Sequence, residues 1–219
     1  MHSTSTHPAV PQKHAGETAA PKERHSLWGT SIRFTLIATV IFGIGYPLLV
    51  TGIAGVLFPH KAAGSLILKD GQVVGSELLS QSFTADKYFH PRPSASAYSD
   101  SSDFASNSTT APSGGSNLAQ SNAKLVQRIQ GDIDKLSKEN NGKPVPIDLV
   151  TMSGSGLDPD ITPDTAYFQT ARVAKARGMN EEAVRQLIAR HVTGRQFGLL
   201  GEPRVNVLEL NLDLDGVKQ

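Results

Sequence analysis

The sequence predicts an α+β protein, with one N-terminal transmembrane helix followed by a single mixed α/β extracytoplasmic domain. Residues 34–58 carry no charge, and as a helix these about 25 residues would measure ~38 Å, enough to cross a ~30 Å hydrocarbon core. Beyond them, apolar residues recur with helical spacing in some segments and alternate in others. Since no other segment is as long and apolar, we expect a single membrane span.

Basic residues flank the apolar stretch unevenly: Lys13, Lys22, Arg24 and Arg33 precede it, and Lys61 and Lys69 follow it. The positive-inside rule therefore predicts a disordered cytoplasmic tail over residues 1–26, a membrane helix with its flanks over residues 27–59, and a periplasmic domain over residues 60–219. A cleaved signal peptide is the alternative, but its apolar region is usually about 7–15 residues long.

Small residues and a proline interrupt the predicted membrane helix. They are Gly43, Gly45, Pro47, Gly52 and Gly55. Glycines let helices approach closely in lipid, so these positions are candidates for packing against partner helices. The alternative is the ordinary glycine usage of membrane helices.

The first half of the soluble region predicts a hairpin, a long loop and a helix. Residues 65–76 are two apolar runs around Asp70-Gly71, which is typical of a two-residue β-hairpin. Aromatic residues in 81–98 should fasten an irregular segment to the core, and residues 99–117 are rich in Ser, Asn, Thr and Gly. Residues 118–139 have apolar positions at spacings of three and four, which predicts an amphipathic helix.

The second half predicts two strands around two helices. Residues 146–152 are expected to form a strand. Thr162 and Pro163 should begin a helix that ends at Gly178, and Asn180 should cap a second helix closed by Gly194. Residues 205–214 alternate leucines with polar residues, which predicts a half-buried strand.

Composition excludes several classes of function. The net charge is +1 and the pI is about 8.0, which does not suggest a nucleic-acid partner. With no cysteine, the chain has no disulfide, zinc-thiolate site or thiol nucleophile. No spacing of His, Asp or Glu predicts a metal site or an acid–base pair, so neither a metal nor a catalytic residue is expected.

The densest unusual segment is a Gly/Ser loop between the predicted strand and helix. It contains Ser153, Gly154, Ser155, Gly156 and Asp158, and Gln169 and Arg172 follow on the next helix. Such a loop can hold an anion or approach another molecule, so these seven residues are candidates for contact with a nucleotide or a partner. The alternatives are a structural turn or, with Ser153 or Ser155 as nucleophile, an anchored hydrolase.

Several blocks of this chain, in the right order between Leu27 and Asp215, are similar to one family. They include GSLILKDGQVVGSELLSQSF, YFHPRPSA, SGGSNL, SGSGLDPDITP, ARVAKARG and LLGEPRVNVLELNLDLD. The chain resembles the C subunit of the Kdp-type potassium-transporting ATPase of bacteria. It departs from the family at Asp160, where histidine is usual, at Thr162, where serine is usual, and at residues 119–121.

The resemblance implies a non-catalytic accessory subunit in the inner membrane, with no intrinsic cofactor and at most ATP shared with the pump subunit. The implied partners are the channel-like potassium-binding subunit, the P-type ATPase subunit and membrane lipid. It also implies a catalytic chaperone that raises the pump's apparent ATP affinity, with Gln169 at the glutamine proposed for nucleotide contact. A periplasmic domain cannot touch cytoplasmic ATP, so we expect indirect coupling. The alternative is an anchored periplasmic chaperone or binding module unrelated to potassium.

Overall fold

The structure is a computed structural model that describes residues 27–69, 71–94 and 113–216. The predicted cytoplasmic tail and most of the predicted Ser-rich loop lie outside the described residues. The chain divides into two units, one ending at Ile53 and the other beginning at Ala54. The predicted fold class is confirmed, since an apolar helix is followed by a region of mixed helices and strands.

The apolar helix is one run of 31 residues, Leu27–Leu57, long and apolar enough to cross a membrane. It consists of α1 (Leu27–Ala38), a π-helical segment (Thr39–Gly45) and α2 (Tyr46–Leu57). The wide π turn lies directly before Pro47, which has no N–H to donate to the carbonyl one turn back. None of its side chains is buried, so the helix needs lipid or partner helices to cover it.

The predicted hairpin is confirmed. After the short helix α3 (Pro59–Ala62), strands β1 (Leu66–Lys69) and β2 (Gln72–Ser76) pair antiparallel, with Lys69 opposite Gln72 across the predicted turn. Gly71 has a φ of +78°, a left-handed conformation that glycine adopts without steric cost.

The long amphipathic helix is α4 (Ala123–Glu139), which begins later than residue 118 because the Asn122 side chain accepts from the backbone N–H of Lys124 and caps it there. The strand predicted over residues 146–152 is wrong: a 3₁₀ turn (Ile147–Leu149) stands there instead. Asp148 on this turn is buried and accepts hydrogen bonds from the N–H of Thr162 and the hydroxyl of Thr165. The strand prediction failed because the buried Asp148 carboxylate, inside an otherwise apolar run, bonds to Thr162 and Thr165 from a turn.

Helix ends were predicted well in the second half of the domain. Thr162 and Asn180 cap α5 (Pro163–Phe168) and α7 (Glu181–His191), and Gly178 ends α6 (Thr170–Arg177) with a φ of +63°. The single helix predicted between Thr162 and Gly178 is instead broken at Gln169, and α7 ends at His191, before Gly194, since residues 192–193 form a strand.

The strand predicted over residues 205–214 is wrong for most of its length. Only β5 (Arg204–Asn206) is extended, and the leucines lie on helix α8 (Val207–Leu214). Asn206 accepts from the N–H of Glu209 and so begins a helix where the alternating pattern predicts a strand. The buried residues Val207, Leu210 and Asn211 then recur at helical spacing.

A small antiparallel sheet and the last helices form the core. Strand β5 lies between β3 (Asp160–Ile161) and β4 (Val192–Thr193). Against it pack α5, α6, α7 and α8, with Phe89 contributed by the irregular segment; the buried apolar residues are Phe89, Ile161, Ala166, Val173, Ala174, Val184, Leu187, Ile188, Val205, Val207 and Leu210. The core thus fastens the irregular segment through an aromatic residue, as predicted.

Candidate functional site

The 86–94 segment has no regular secondary structure. Two side-chain amides bond its backbone in the way that a neighbouring strand would. Asn211 accepts from the N–H of Phe89 at 2.8 Å and donates to its carbonyl at 3.0 Å. Gln169 does the same for His90, at 2.8 and 3.1 Å. Both amides are almost fully buried, at 1% and 4% exposure, so each holds one residue of the segment as a neighbouring strand would.

Arg172 extends this hold by one helical turn. Its guanidinium donates to the carbonyls of Asp86 and Tyr88 at 2.7 and 3.0 Å, and to the Gln169 side-chain oxygen at 2.6 Å. The predicted pair Gln169 and Arg172 is therefore brought together, with its polar atoms bonded to the 86–94 segment.

The other end of the segment meets the Gly/Ser loop. Arg92 donates to the carboxylate of Asp158 at 3.0 Å, and Ser94 donates to the carbonyl of Gly156 at 2.8 Å. The N–H of Ser153 donates to the Pro93 carbonyl at 3.0 Å. Ser153, Gly156 and Asp158 of the loop thus contact one end of the segment, and Gln169 and Arg172 contact the other.

Within the loop, the hydroxyls hold the backbone turn. Ser153, 1% exposed, accepts from the N–H of Gly156 at 3.0 Å, and the Ser155 hydroxyl accepts from the N–H of Leu157 at 3.1 Å. The two hydroxyls lie 3.1 Å apart. Among the described residues neither contacts a His, Asp or Glu side chain, so this part of the chain supplies no base for a serine nucleophile.

Residues 113–115 close the other side of the loop. Ser113 and the N–H of Gly114 both donate to the carbonyl of Ser155, at 3.0 and 2.7 Å. A Cβ on Gly115 would lie 3.1 Å from the carbonyl oxygen of Gly154, so glycine allows this close approach. Backbone groups of the loop are therefore engaged within the domain.

A small cavity of about 150 Å³ opens beside the 86–94 segment. Titratable residues from several parts of the chain line it: Asp86, His90, Lys135, Glu139 and Arg172. Burial, followed by the nearby Arg172 guanidinium, lowers the pKa of His90 to about 4. His90 is therefore neutral at physiological pH. Neither His90 nor Asn211 was predicted as a site residue, although both lie in blocks that carry the family resemblance, because one sequence does not show which distant polar groups meet.

A second group of hydrogen bonds connects the 86–94 segment to the end of α8. Arg177 donates to the carbonyls of Lys87 and Leu214 and, at 2.7 Å, to the carboxylate of Asp215. Tyr88 donates to the same carboxylate at 2.7 Å. Burial would raise the pKa of Asp215, but these hydrogen bonds outweigh it and leave the pKa below its ordinary value.

Asp160, where the resemblance leads one to expect histidine, pairs with a residue of the neighbouring strand. Its carboxylate forms a salt bridge with the guanidinium of Arg204, whose Nε lies 3.1 Å from Oδ2, across the β3–β5 pair. Burial nevertheless raises the pKa of Asp160 above its ordinary value. Among residues 27–69, 71–94 and 113–216, no group of His, Asp and Glu is arranged to hold a metal ion.

The small residues of the apolar helix differ in their surroundings. A Cβ on Gly52 or Gly55 would meet nothing within 4 Å, whereas one on Gly45 would lie 3.4 Å from the Val40 carbonyl oxygen. Gly52 and Gly55 therefore leave open space beside the described helix.

Comparison of the sequence with known proteins shows which family the chain belongs to. A family model described as KdpC, K+-transporting ATPase, c chain, matches residues 28–216, nearly the whole chain. The chain belongs to the KdpC family. The predicted resemblance is thereby confirmed, and the matched range contains the apolar helix, the 86–94 segment and the Gly/Ser loop.

Individual KdpC relatives support the assignment. The Potassium-transporting ATPase KdpC subunit of Methylobacterium nodulans is 57% identical over 182 residues, covering 81% of this chain and 90% of the relative. The proteins of the same name from Koribacter versatilis and Bradyrhizobium diazoefficiens are 53% and 57% identical, covering 86% and 84% of this chain and 94% of each relative.

Proposed function

We propose that this chain is the accessory KdpC subunit of a potassium-transporting ATPase and supports assembly of the complex and potassium transport. The observation that carries the proposal is the family match over residues 28–216, in which the relatives are named as subunits of such an ATPase. The partners are a P-type ATPase subunit and a channel-like potassium-binding subunit. The subunit itself is not an enzyme.

The apolar helix Leu27–Leu57 anchors the subunit in the inner membrane with its N-terminus in the cytoplasm. The basic residues before the helix support this orientation, which leaves the domain in the periplasm. Labelling Ser113→Cys with an impermeant thiol reagent on intact cells tests it, because the chain has no other cysteine. Labelling supports a periplasmic domain, and protection until the cells are permeabilised contradicts it.

We propose further that the domain steadies the potassium-entry face of the channel-like subunit. An exposed apolar turn supports a role in contact with a partner: Phe197, Leu199 and Leu200 are 96%, 79% and 58% exposed. Exposed apolar groups of this size are typical of interaction sites. The glycines Gly43, Gly45, Gly52 and Gly55, with Pro47, supply the complementary contact inside the membrane.

The effect on ATP affinity is indirect in this proposal. Gln169, at the family's proposed nucleotide position, is 4% exposed, and its side-chain amide is hydrogen-bonded to His90 and Arg172. Five of the seven loop and helix candidates hold the 86–94 segment, namely Ser153, Gly156, Asp158, Gln169 and Arg172. Coupling to ATP would pass through the complex. Measuring the KM for ATP of the complex with Gln169→Leu tests this. Indirect coupling predicts that any change in KM accompanies a loss of domain stability, whereas direct contact predicts a change in KM without that loss.

Growth of a strain that lacks this chain, under limiting potassium, tests the main proposal. Restoration of growth and of potassium-stimulated ATPase activity by the full chain is the expected result. An anchored chaperone or binding module unrelated to potassium predicts no potassium-dependent defect, and that outcome would overturn the proposal.

A further inference from the structure

The β1–β2 hairpin carries an apolar face that the domain does not cover. Strand β1 alternates, with Ile67 buried at 7% exposure while Leu66 and Leu68 are 41% and 56% exposed. Leu68 lies opposite Val73, which is 40% exposed. Leu78 and Leu79, just beyond β2 in the chain, are also exposed, at 59% and 38%. These residues are called the hairpin face below.

Hydrogen bonds lock the hairpin to the residues that leave the apolar helix. The N–H of Ser65 donates to the His60 carbonyl at 3.0 Å, and the N–H of Glu77 donates to the Ser65 carbonyl at 3.0 Å. Ser76 donates to the Gly64 carbonyl at 2.7 Å, and His60 Nε2 donates to the Glu77 carboxylate at 2.9 Å. These hydrogen bonds connect the hairpin directly to α3 and the residues that follow it.

The chain also keeps the hairpin close to the end of the apolar helix. The helix ends at Leu57 and β1 begins at Leu66, and the residues between them could span no more than ~30 Å even when extended. If the helix crosses the membrane, its exit point is thus within reach of the hairpin face.

The composition of this region favours lipid over protein as the occupant. Residues 58–79 contain no Arg, and the exposed apolar side chains of the hairpin face are mostly leucines, which are under-represented in protein–protein hot spots. Exposed Lys61 and Lys69 flank the leucines of β1, and Phe58 at the helix exit is 58% exposed. Leucine and phenylalanine side chains beside lysines are the combination that interfacial amphipathic segments present to anionic membranes.

We propose that the hairpin face lies in the membrane–water interface and contacts anionic lipid. Its leucines enter the boundary between headgroups and acyl chains, and Lys61 and Lys69 meet lipid phosphates. The α3–hairpin unit would then fix the height of the domain's first residues above the bilayer. The proposal rests on the membrane crossing proposed above.

Depth-dependent quenching tests the contact. The full chain with Leu68→Cys carries a single environment-sensitive fluorophore and is reconstituted, alone and in the purified complex, into vesicles of equal parts phosphatidylcholine and phosphatidylglycerol with nitroxide near the headgroup. Lys175→Cys, at an exposed position on α6, is the matched control. We expect the label at Leu68 to lose most of its emission and the label at Lys175 to lose little.

Equal quenching at both positions would overturn the proposal, as would an apolar but unquenched label at Leu68 in the complex, which would mean that protein covers the hairpin face. A third sample, Leu68→Cys with Lys61→Gln and Lys69→Gln, should be quenched less. Co-purification of the other subunits is scored on the same preparations. Its loss from the unsubstituted chain would contradict the proposed function. Its loss only from the hairpin variants would mean that a subunit covers the hairpin face, and lost quenching with retained subunits would contradict only the lipid contact.

Discussion

Gln169 is the residue on which the account of the site depends most. Sequence reasoning placed it on a helix beside the Gly/Ser loop, free to contact a nucleotide or a partner. The structure shows its amide bonded at both ends to His90 and its oxygen shared with Arg172. A buried amide with satisfied donors and acceptors acts as a positioning group for the backbone it holds.

Replacing Gln169 should destabilise the domain. Gln169→Leu leaves the part-buried N–H and carbonyl of His90 without these partners, and removes an acceptor from Arg172, for which we expect a loss of ~2–4 kcal/mol in the free energy of unfolding. Asn211→Leu should behave similarly, because Asn211 holds Phe89 in the same way. Thermal unfolding of the full chain in detergent measures both. Gln186→Leu, exposed on α7, is the control, and equal stability of Gln169→Leu and Gln186→Leu would contradict the positioning role.

His90 should make the domain sensitive to acid. Its pKa is lowered from 6.5 to about 4 by burial, so the unfolded chain takes up the proton more readily than the folded one. Its contribution to stability is therefore complete above about pH 6.5 and lost as the pH falls towards 4, by up to ~3 kcal/mol. Comparing the pH dependence of unfolding with that of His90→Gln measures it; parallel curves between these pH values would contradict the prediction.

At the scale of elements, local signals predicted some boundaries and not others. Thr162, Asn180 and Gly178 were assigned correctly because capping depends on the side chain or glycine at one position. The alternating leucines of residues 205–214 were misread as a strand. In a segment this short, a strand and a helix can both bury part of such a pattern on one side. Only the cap at Asn206 and the packing of α8 on the core decide between them.

The helical assignment of α8 makes a prediction that a strand would not share. Leu210 and Leu212 would face the same side of a strand, but on α8 Leu210 is fully buried and Leu212 is half-buried. We expect Leu210→Ala to reduce the free energy of unfolding by ~2–5 kcal/mol, and Leu212→Ala by clearly less. Denaturant unfolding of both variants measures the difference, and equal losses would restore the strand interpretation.

Tertiary contacts explain why the site was only partly predictable. The Gly/Ser loop was identified from its composition, and its glycines do allow the close approach of residues 113–115. The amide pair that holds Phe89 and His90 comes from α8 and from the break between α5 and α6. Contacts between residues so far apart in the chain leave no periodic signal in one sequence.

For the whole molecule, the apolar helix sets what the chain must associate with. Its 31 residues have no cover from the rest of the described chain, and Gly52 and Gly55 leave open space on its surface. Lipid alone would cover such a helix, but a subunit also needs a packing face against other membrane helices.

That packing face predicts an assembly defect without a folding defect. Gly52→Leu would fill the open space and should reduce the amount of partner subunit that co-purifies, while the unfolding of the domain stays unchanged. Thr51→Leu, one position away and therefore on another side of the helix, is the control. Equal co-purification with both variants would count against the glycine face.

The central claim is membership of a potassium-transporting ATPase complex. Affinity purification of tagged full-length chain in mild detergent, from potassium-starved cells, tests it most directly. We predict that a P-type ATPase subunit and a channel-like potassium-binding subunit co-purify with it. Recovery of the chain alone, folded and stable, would contradict the claim and return attention to the Gly/Ser loop as a site in its own right.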